Sequence, residues 1–359
     1  MANRKTVYNN ITSPEKLAQV NSENIDLMND FLEYLRSVDK AASTIKQYEA
    51  NLKVFLCWNL EYNKNKFFID LTKREIAKFQ SHALNEWGWS PKRLRTVKAT
   101  ISSWSNYIEN ILDDEYEDYR PIVRKIESPE NVAVRDKSVF KEEELQQLLD
   151  YLVGQGDWQS IEKACLLALA MYSGRRKAEL PRFKVSYFDD SNLICGGSLY
   201  KTPEKVVTKG RGSRGKLLDL YTLAKPFSPY LKLWIDKRNE LGIESEWLFP
   251  KIDREGKCVD EKVETNTIDS WGDMFNTILS KKLGIETKFY WHSMRHYFVT
   301  ALARNNIPDD VINEIIGWSK NGGSAMVSVY KDIDASEKLE QYFGEEGIKK
   351  VEQKGLNDL

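Results

Sequence analysis

The chain has 359 residues, of which 41% are hydrophobic and 30% charged. This length exceeds one ordinary core and suits two domains of roughly 100 to 200 residues each, and the composition is typical of a globular protein. No apolar run approaches the roughly 18 to 20 residues that cross a bilayer. With no recognisable export signal, we expect a cytoplasmic protein without a membrane partner. The four cysteines are widely spaced, so we expect reduced thiols and no metal site.

The net charge of −1 neither establishes nor excludes a nucleic-acid partner, because phosphate contacts need only a local basic surface. Charge is unevenly placed along the chain. Six basic residues and a single acid lie between residues 201 and 216, whereas acids cluster at residues 113–118.

The first part of the chain predicts a helical bundle after a short arm. Residues 1–21 are polar and are expected to form a flexible arm, and residues 22–118 have helical periodicity that indicates four helices. Thr44 with Gln47, and Thr72 with Glu75, have the spacing of capping boxes and predict the starts of the second and third helices.

A basic cluster opens the predicted fourth helix, which Ser90 and Pro91 should start. Phosphate contact and an ordinary solvated helix face are both open explanations for such a cluster. The cluster consists of Lys92, Arg93, Arg95 and Lys98.

A second domain follows a predicted linker. Residues 119–140 contain two prolines and lack helical periodicity, as linkers do. Residues 141–345 combine helices with a β-rich stretch at 188–220 whose glycine-rich turn separates two short apolar strands. Residues 346–359 form a tail. The expected fold class is mainly α with a small antiparallel β-sheet.

Four short stretches of the second domain carry residue types suited to phosphate chemistry. They are residues 173–180, the basic turn 208–216, residues 291–297, and Gly317-Trp318 followed by residues 327–332. Each has an ordinary structural explanation when it is taken alone: a surface arginine after a helix-ending glycine, a hairpin tip, a helix start, or a packing tyrosine.

The order of these stretches resembles that of the tyrosine recombinase, or phage integrase, family. The matching residues are, in chain order, Arg176, Lys209 in a β-turn, His292 and Arg295 at a helix start, Trp318 after a glycine, and Tyr330. The resemblance covers the whole second domain, and the preceding bundle resembles the family's core-binding domain. It implies a helical core-binding bundle followed by a mixed α/β catalytic domain.

The resemblance implies that two arginines hold the scissile phosphate. Alignment of Gly174 and Glu179 with the family motif makes Arg176, and not Arg175, the first clamp residue, with Glu179 as a supporting acid. Arg295 is then the second clamp residue.

The remaining roles concern proton transfer and attack. Lys209 is expected to be the general acid for the leaving 5′ oxygen, and His292 to assist proton transfer or to bind the phosphate. Trp318 stands where many members carry a second histidine. Tyr330 is expected to be the nucleophile that forms a 3′-phosphotyrosyl intermediate, without metal, ATP or another cofactor.

The resemblance also implies partners. These are double-stranded DNA target sites, a homo-tetramer on DNA, and accessory DNA-bending or directionality proteins. Arg211 and Arg214 join the basic helix cluster as expected DNA contacts. The C-terminal residues Leu339, Tyr342 and Phe343 have helical spacing and could pack on their own domain or dock on a neighbouring subunit.

Two other functions remain open at this point. A type IB topoisomerase would use the same active-site logic to relax DNA, and a DNA-binding regulator could retain the fold after losing catalysis. The joint presence of Arg176, Lys209, His292, Arg295 and Tyr330 argues against the second.

Overall fold

The computed structural model describes residues 11–130, 140–208, 215–253 and 255–318. Contacts divide the chain into two compact units. Residues 11–130 belong to the first unit, and residues 140–208, 216–253 and 255–318 belong to the second. Within these ranges no helix is both long and apolar enough to span a membrane.

The described part of the first unit is helical, as predicted. Its core is aromatic, and the rings of Phe68 and Trp104 stack with centroids 4.0 Å apart. The helices are α1 (Pro14–Leu17), α2 (Ser22–Ser37), α3 (Ala42–Tyr62), α4 (Lys73–Asn85) and α5 (Pro91–Ile111).

Two of the three predicted helix starts are confirmed. Thr72 Oγ1 accepts a hydrogen bond from Glu75 N, and the Glu75 carboxylate accepts one from Thr72 N, which together form the capping box that starts α4. Ser90 caps α5. The start predicted at Thr44 is wrong, because α3 begins at Ala42 without a side-chain cap and Thr44 lies inside its first turn.

Packing of the first unit reaches beyond the predicted boundaries of the bundle. Ile11 and Val20, in the stretch expected to be a flexible arm, are buried in its core. On the other side, Ile122 and Tyr119 are buried, and the Tyr119 hydroxyl lies 2.6 Å from Ser105 Oγ. The stretch expected to be a linker therefore begins as part of the packed unit.

The described part of the second unit combines helices with short antiparallel strands, as predicted. The helices are α6 (Glu142–Gly154), α7 (Trp158–Ser173), α8 (Ala224–Glu240), α9 (Thr265–Lys282), α10 (Trp291–Arg304) and α11 (Asp309–Ile316). The strands are β1 (Leu193–Ile194), β2 (Leu199–Lys201), β3 (Val206–Thr208), β4 (Lys216–Leu218), β5 (Tyr221–Leu223), β6 (Pro250–Ile252) and β7 (Cys258–Lys262). They pair in the orders β1-β2-β5, β3-β4 and β6-β7.

Helix α7 is the centre of this unit. Eleven of its sixteen residues are buried, because its sequence is apolar on nearly every side. It packs against α6, α8 and α10. The C-terminal end of such a helix is held rigidly, and the residues that follow it are held with it.

Hairpin β3–β4 is the strand pair that the sequence predicted around the basic turn. Val207 lies opposite Leu217 and Thr208 opposite Lys216. Lys209 directly follows Thr208, and residues 209–214 lie outside the described residues.

Candidate active site

Gly174 ends α7 and turns the chain sharply. It has a left-handed backbone with φ 59°, a conformation that costs little only for glycine. A Cβ at this position would lie 2.5 Å from Phe298 Cδ1 and 2.8 Å from Ile316 Cδ1. Only glycine therefore lets α7, α10 and α11 approach one another here.

The two arginines after Gly174 point to different environments. Arg175 is 1% exposed, and its Nε donates a hydrogen bond to Ser173 O at 3.2 Å. The Arg176 side chain is 32% exposed, and its Nη1 donates to Glu179 Oε1 at 3.1 Å. Glu179 is buried and also accepts a bond from Arg176 N. A buried carboxylate thus holds a solvent-facing guanidinium, which is the arrangement expected if Arg176 contacts a phosphate.

Arg295 reaches the same turn from α10. It is fully buried, and its Nη1 donates a hydrogen bond to Gly174 O at 3.0 Å. Its guanidinium carbon lies 5.0 Å from the ring centroid of Trp318, within the range of cation–π attraction. Arg295 therefore connects the end of α7 with the residue that follows the end of α11.

His292 occupies the first turn of α10, one helical turn before Arg295. The residue is exposed, but partial burial of the ring, followed by the influence of His296, Arg295 and Arg176, lowers the pKa of His292 to about 4. The imidazole is neutral at pH 7, so one ring nitrogen donates a hydrogen bond and the other accepts one. His292 is on the same helix as Arg295, whose guanidinium reaches Gly174 O, so the ring lies near the turn that carries Arg176 and feels the charge of both arginines.

Gly317 ends α11 in the same manner as Gly174 ends α7. Its φ is 75°, and a Cβ there would overlap Leu218 Cδ1 of β4. Trp318 follows and is partly buried against the small core between α10 and α11. Hairpin β3–β4 is thereby packed against the exit of α11.

Among the residues predicted in the second domain, those that the structure describes lie around one helix junction: Arg176, Glu179, His292, Arg295 and Trp318. The remaining predicted residues of the second domain lie outside the described residues. They are Lys209, Arg211, Arg214 and Tyr330, together with Leu339, Tyr342 and Phe343 of the predicted last helix.

Lys98 of the first unit is unsuited to the role of DNA contact that the sequence suggested. It is 4% exposed, although it belongs to the basic cluster at the start of α5. The three N–H groups of its ammonium are shared among four acceptors of the same chain, Gln80 Oε1, Ile126 O, Glu127 O and Ser128 Oγ, which lie 2.8 to 3.1 Å from Nζ. This expectation is corrected, because the ammonium is already satisfied by the segment that follows the bundle.

The other members of the cluster differ in how far they are engaged. Arg93 donates to Asn51 Oδ1 at 2.7 Å and lies over the ring of Trp89. Arg95 is exposed but donates two bonds to Pro129 O. Lys92 is exposed.

Both units match known families. Residues 138–337 match the model of the phage integrase family, and residues 27–118 match that of the phage integrase N-terminal SAM-like domain. The SPbeta prophage-derived recombinase-like protein YomM of Bacillus subtilis is 30% identical over 271 residues, which cover 74% of this chain and 75% of the relative. The tyrosine recombinase XerD of Listeria innocua is 24% identical over 81% of this chain and 90% of its own.

Solved structures of related folds agree with this assignment. The Tn1549 transposon integrase with a circular intermediate DNA has a TM-score of 0.63 at 13% identity, covering 88% of this chain and 98% of its own. XerH bound to a palindromic difH substrate has a TM-score of 0.60 at 16% identity, covering 83% of this chain and 78% of its own. A lambda integrase tetramer bound to a Holliday junction has a TM-score of 0.55 at 13% identity, covering 86% of this chain and 76% of its own.

The first unit is helical, and the second carries a site suited to phosphate chemistry. Together with the family matches, these features assign the protein to the class of tyrosine-type site-specific recombinases. The chain belongs to the phage integrase family.

Proposed function

We propose that this recombinase cleaves and rejoins double-stranded DNA through a covalent 3′-phosphotyrosyl intermediate formed by Tyr330. The observation that carries the proposal is the convergence of Arg176, His292 and Arg295 where α7, α10 and α11 meet. These groups come from segments about 120 residues apart in sequence.

The two arginines stabilise charge on the phosphate. As a fifth oxygen approaches phosphorus, negative charge grows on the non-bridging oxygens, and fixed cationic donors lower the energy of that state. Arg176 is held by a buried carboxylate and Arg295 by a backbone carbonyl, so neither guanidinium has to be reordered during the reaction. Neutral His292 donates a hydrogen bond to the phosphate or takes up the phenol proton.

Two further residues carry out the attack on phosphorus and the protonation of the leaving 5′ oxygen. A free phenol is a weak acid with a reference pKa of about 10, so the Tyr330 hydroxyl has to lose its proton as it forms the new P–O bond. The P–O bond to the 5′ oxygen breaks, and Lys209 protonates that oxygen. The phosphotyrosyl ester conserves the bond energy, so the reverse step reseals the strand without ATP. A clamp of this kind needs no metal to neutralise the phosphate.

The proposed partners follow from the relatives. The lambda integrase structure is a tetramer on a Holliday junction, and we assign a homo-tetramer on two target sites to this protein, in the cytoplasm with its DNA. Accessory DNA-bending or directionality proteins belong to the same proposal. Lys92, Arg93, Arg95, Arg211 and Arg214 are proposed to contact the DNA backbone.

Covalent trapping on a nicked suicide duplex tests the chemistry. The wild type should form a denaturant-resistant protein–DNA adduct, and Tyr330→Phe should form none while binding the same DNA. Tyr290→Phe is the control, because Tyr290 is 48% exposed and immediately precedes α10. Adducts formed by Tyr330→Phe would mean that another residue is the nucleophile. A wild type that binds DNA but never forms an adduct would indicate a DNA-binding regulator instead.

A further inference from the structure

Arg175, the neighbour of the clamp arginine, is a buried arginine bonded to backbone carbonyls. It is 1% exposed, and its Nε donates to Ser173 O at 3.2 Å. Its Nη2 donates to Ile315 O, which lies 140 residues further along the chain. The bond partners of this guanidinium are thus main-chain groups of two different helices.

Both acceptors belong to helix ends. Ser173 is the last residue of α7, and Ile315 lies in the last turn of α11. The last four carbonyls of a helix have no donor within the helix, and they carry the negative end of its dipole. One guanidinium therefore satisfies the C-terminal ends of two helices and holds them together.

The stability of the fold does not by itself explain a charged side chain here. Burial lowers the pKa of Arg175 to about 10, so the group is still charged at neutral pH. Its Nη1 has no hydrogen-bond acceptor among the described residues. Buried donors without acceptors and buried charges are costly, and apolar side chains of similar volume often stabilise a fold as well or better.

The two helix ends that Arg175 joins lead to different parts of the site. The end of α7 leads directly to Arg176. The end of α11 leads through Gly317 to Trp318, and from there the chain continues to Tyr330. We propose that Arg175 is a positioning residue that fixes the exit of α11 relative to the Arg176 clamp, so that Tyr330 approaches the phosphate in line. This inference rests on the proposed function of Tyr330.

The positioning role proposed for Arg175 differs from the role of Arg295, which is also buried at this junction. Arg295 uses one donor for Gly174 O and is proposed to bind phosphate. Arg175 uses its donors for helix ends and acts through the placement of other groups. Loss of Arg175 should therefore reduce the rate of cleavage at saturating DNA without changing affinity.

Arg175→Met tests the proposal, because methionine fills the same buried space without donating hydrogen bonds. The rate of single-turnover cleavage on saturating suicide duplex should fall roughly 10- to 100-fold, as expected when a reacting group is displaced by about 1 Å. The DNA affinity and the shape of the pH–rate profile should remain those of the wild type, because Arg175 neither binds phosphate nor transfers a proton. Arg175→Lys should recover part of the rate, since an ammonium can still donate to the two carbonyls.

Arg238→Met is the matched control. Arg238 is also a buried arginine, 4% exposed, and it donates to the backbone carbonyls of Ser245, Trp247 and Leu248, away from the helix junction. Its replacement removes a comparable set of bonds and should leave the cleavage rate per folded molecule unchanged.

Several outcomes would overturn the inference. These are an unchanged rate in Arg175→Met, an equal loss in Arg238→Met, a loss of DNA affinity that parallels the loss of rate, or an Arg175→Lys variant no faster than Arg175→Met. If Arg175→Met does not fold, Arg175→Lys provides the test. This variant should cleave DNA more slowly than the wild type while binding it with equal affinity. A cleavage rate equal to that of the wild type would overturn the inference. Failure of the proposed function is visible separately, as a wild type that forms no adduct through Tyr330.

Discussion

Basic side chains gather at the start of α5 in the first unit and at the end of α7 in the second, and these two groups are held in different ways. At the start of α5 in the first unit, the ammonium of Lys98 is buried and bonded to four acceptors of its own chain. At the end of α7 in the second unit, Arg175 is buried in a similar manner, but its neighbour Arg176 is directed outward and is held by the buried Glu179.

The difference shows that the density of basic residues along a sequence does not tell which cations are satisfied by their own chain. Lys98 is satisfied by acceptors of its own chain, whereas Arg176 keeps part of its donor set facing solvent. Lys98 is buried on α5, and its ammonium meets the backbone carbonyls of Ile126 and Glu127. Arg176 follows a turn that places it outside the helix, with one bond to a carboxylate.

Removal of the outward-facing arginine should have the largest effect. Arg176→Ala should lower the rate of DNA cleavage by roughly 10²- to 10³-fold, the usual loss when one preorganised donor to a developing charge is removed. The measurement is single-turnover cleavage of the suicide duplex at saturating protein. Lys177→Ala is the control, because the Lys177 side chain is also 32% exposed and pairs with Asp269. Equal losses in both variants would show that local charge, and not a specific clamp, governs the rate.

The junction that supports the clamp should be sensitive to a single methyl group. Gly174→Ala combines a left-handed backbone with a Cβ that meets Phe298 and Ile316, and we expect a loss of roughly 2 to 5 kcal/mol in the free energy of unfolding. Gly156→Ala has a similar φ of 73° but nothing within 4 Å of the new Cβ, so roughly 1 to 2 kcal/mol should be lost. Urea unfolding of the full chain compares the two. Similar losses would mean that the contacts at Gly174 relax easily.

The sequence predicted the helices well, because their signals are local. The capping box at Thr72 and Glu75 needs only four consecutive residues, and the buried helix α7 is visible from its apolar run. The hairpin β6–β7 was not predicted. The reason is physical, since four of the five residues of β7 are exposed and no alternation of apolar and polar residues marks the strand.

The site was predictable to the extent that it resembled a known order of residues. That order selected Arg176, but the sequence alone shows only two adjacent arginines. Which of them points inward depends on the backbone of Gly174 and on a carbonyl 140 residues away, at Ile315. Long-range contacts of this kind leave no local pattern, which is why Arg175 gave no separate signal and Lys98 gave a misleading one.

Two lysines of α5 should separate stability from DNA binding. Lys98→Ala should lower the free energy of unfolding by about 1 to 3 kcal/mol, because buried carbonyls lose their donor, and should leave the salt dependence of DNA binding unchanged. Lys92→Ala should change stability by less than about 0.5 kcal/mol and reduce the salt slope of binding by about 1. Urea unfolding and binding titrations over a range of salt concentrations measure both quantities. A reduced salt slope in Lys98→Ala would return that residue to the DNA-contacting group.

The smallest effect distinguishes a true helix cap from a sequence that only resembles one. Thr72→Ala removes the Oγ1 acceptor from the start of α4 and should cost about 1 kcal/mol. Thr44→Ala changes a residue already inside the first turn of α3, where alanine has the higher helix propensity, so the change in stability should be under about 0.5 kcal/mol or slightly favourable. The two variants remove the same atoms from equivalent sequence motifs, so the difference between their urea midpoints reports the contacts of the Thr72 hydroxyl at the cap together with the helix propensity gained at residue 44. A comparable cost at Thr44 would show that α3 begins at Thr44 in solution.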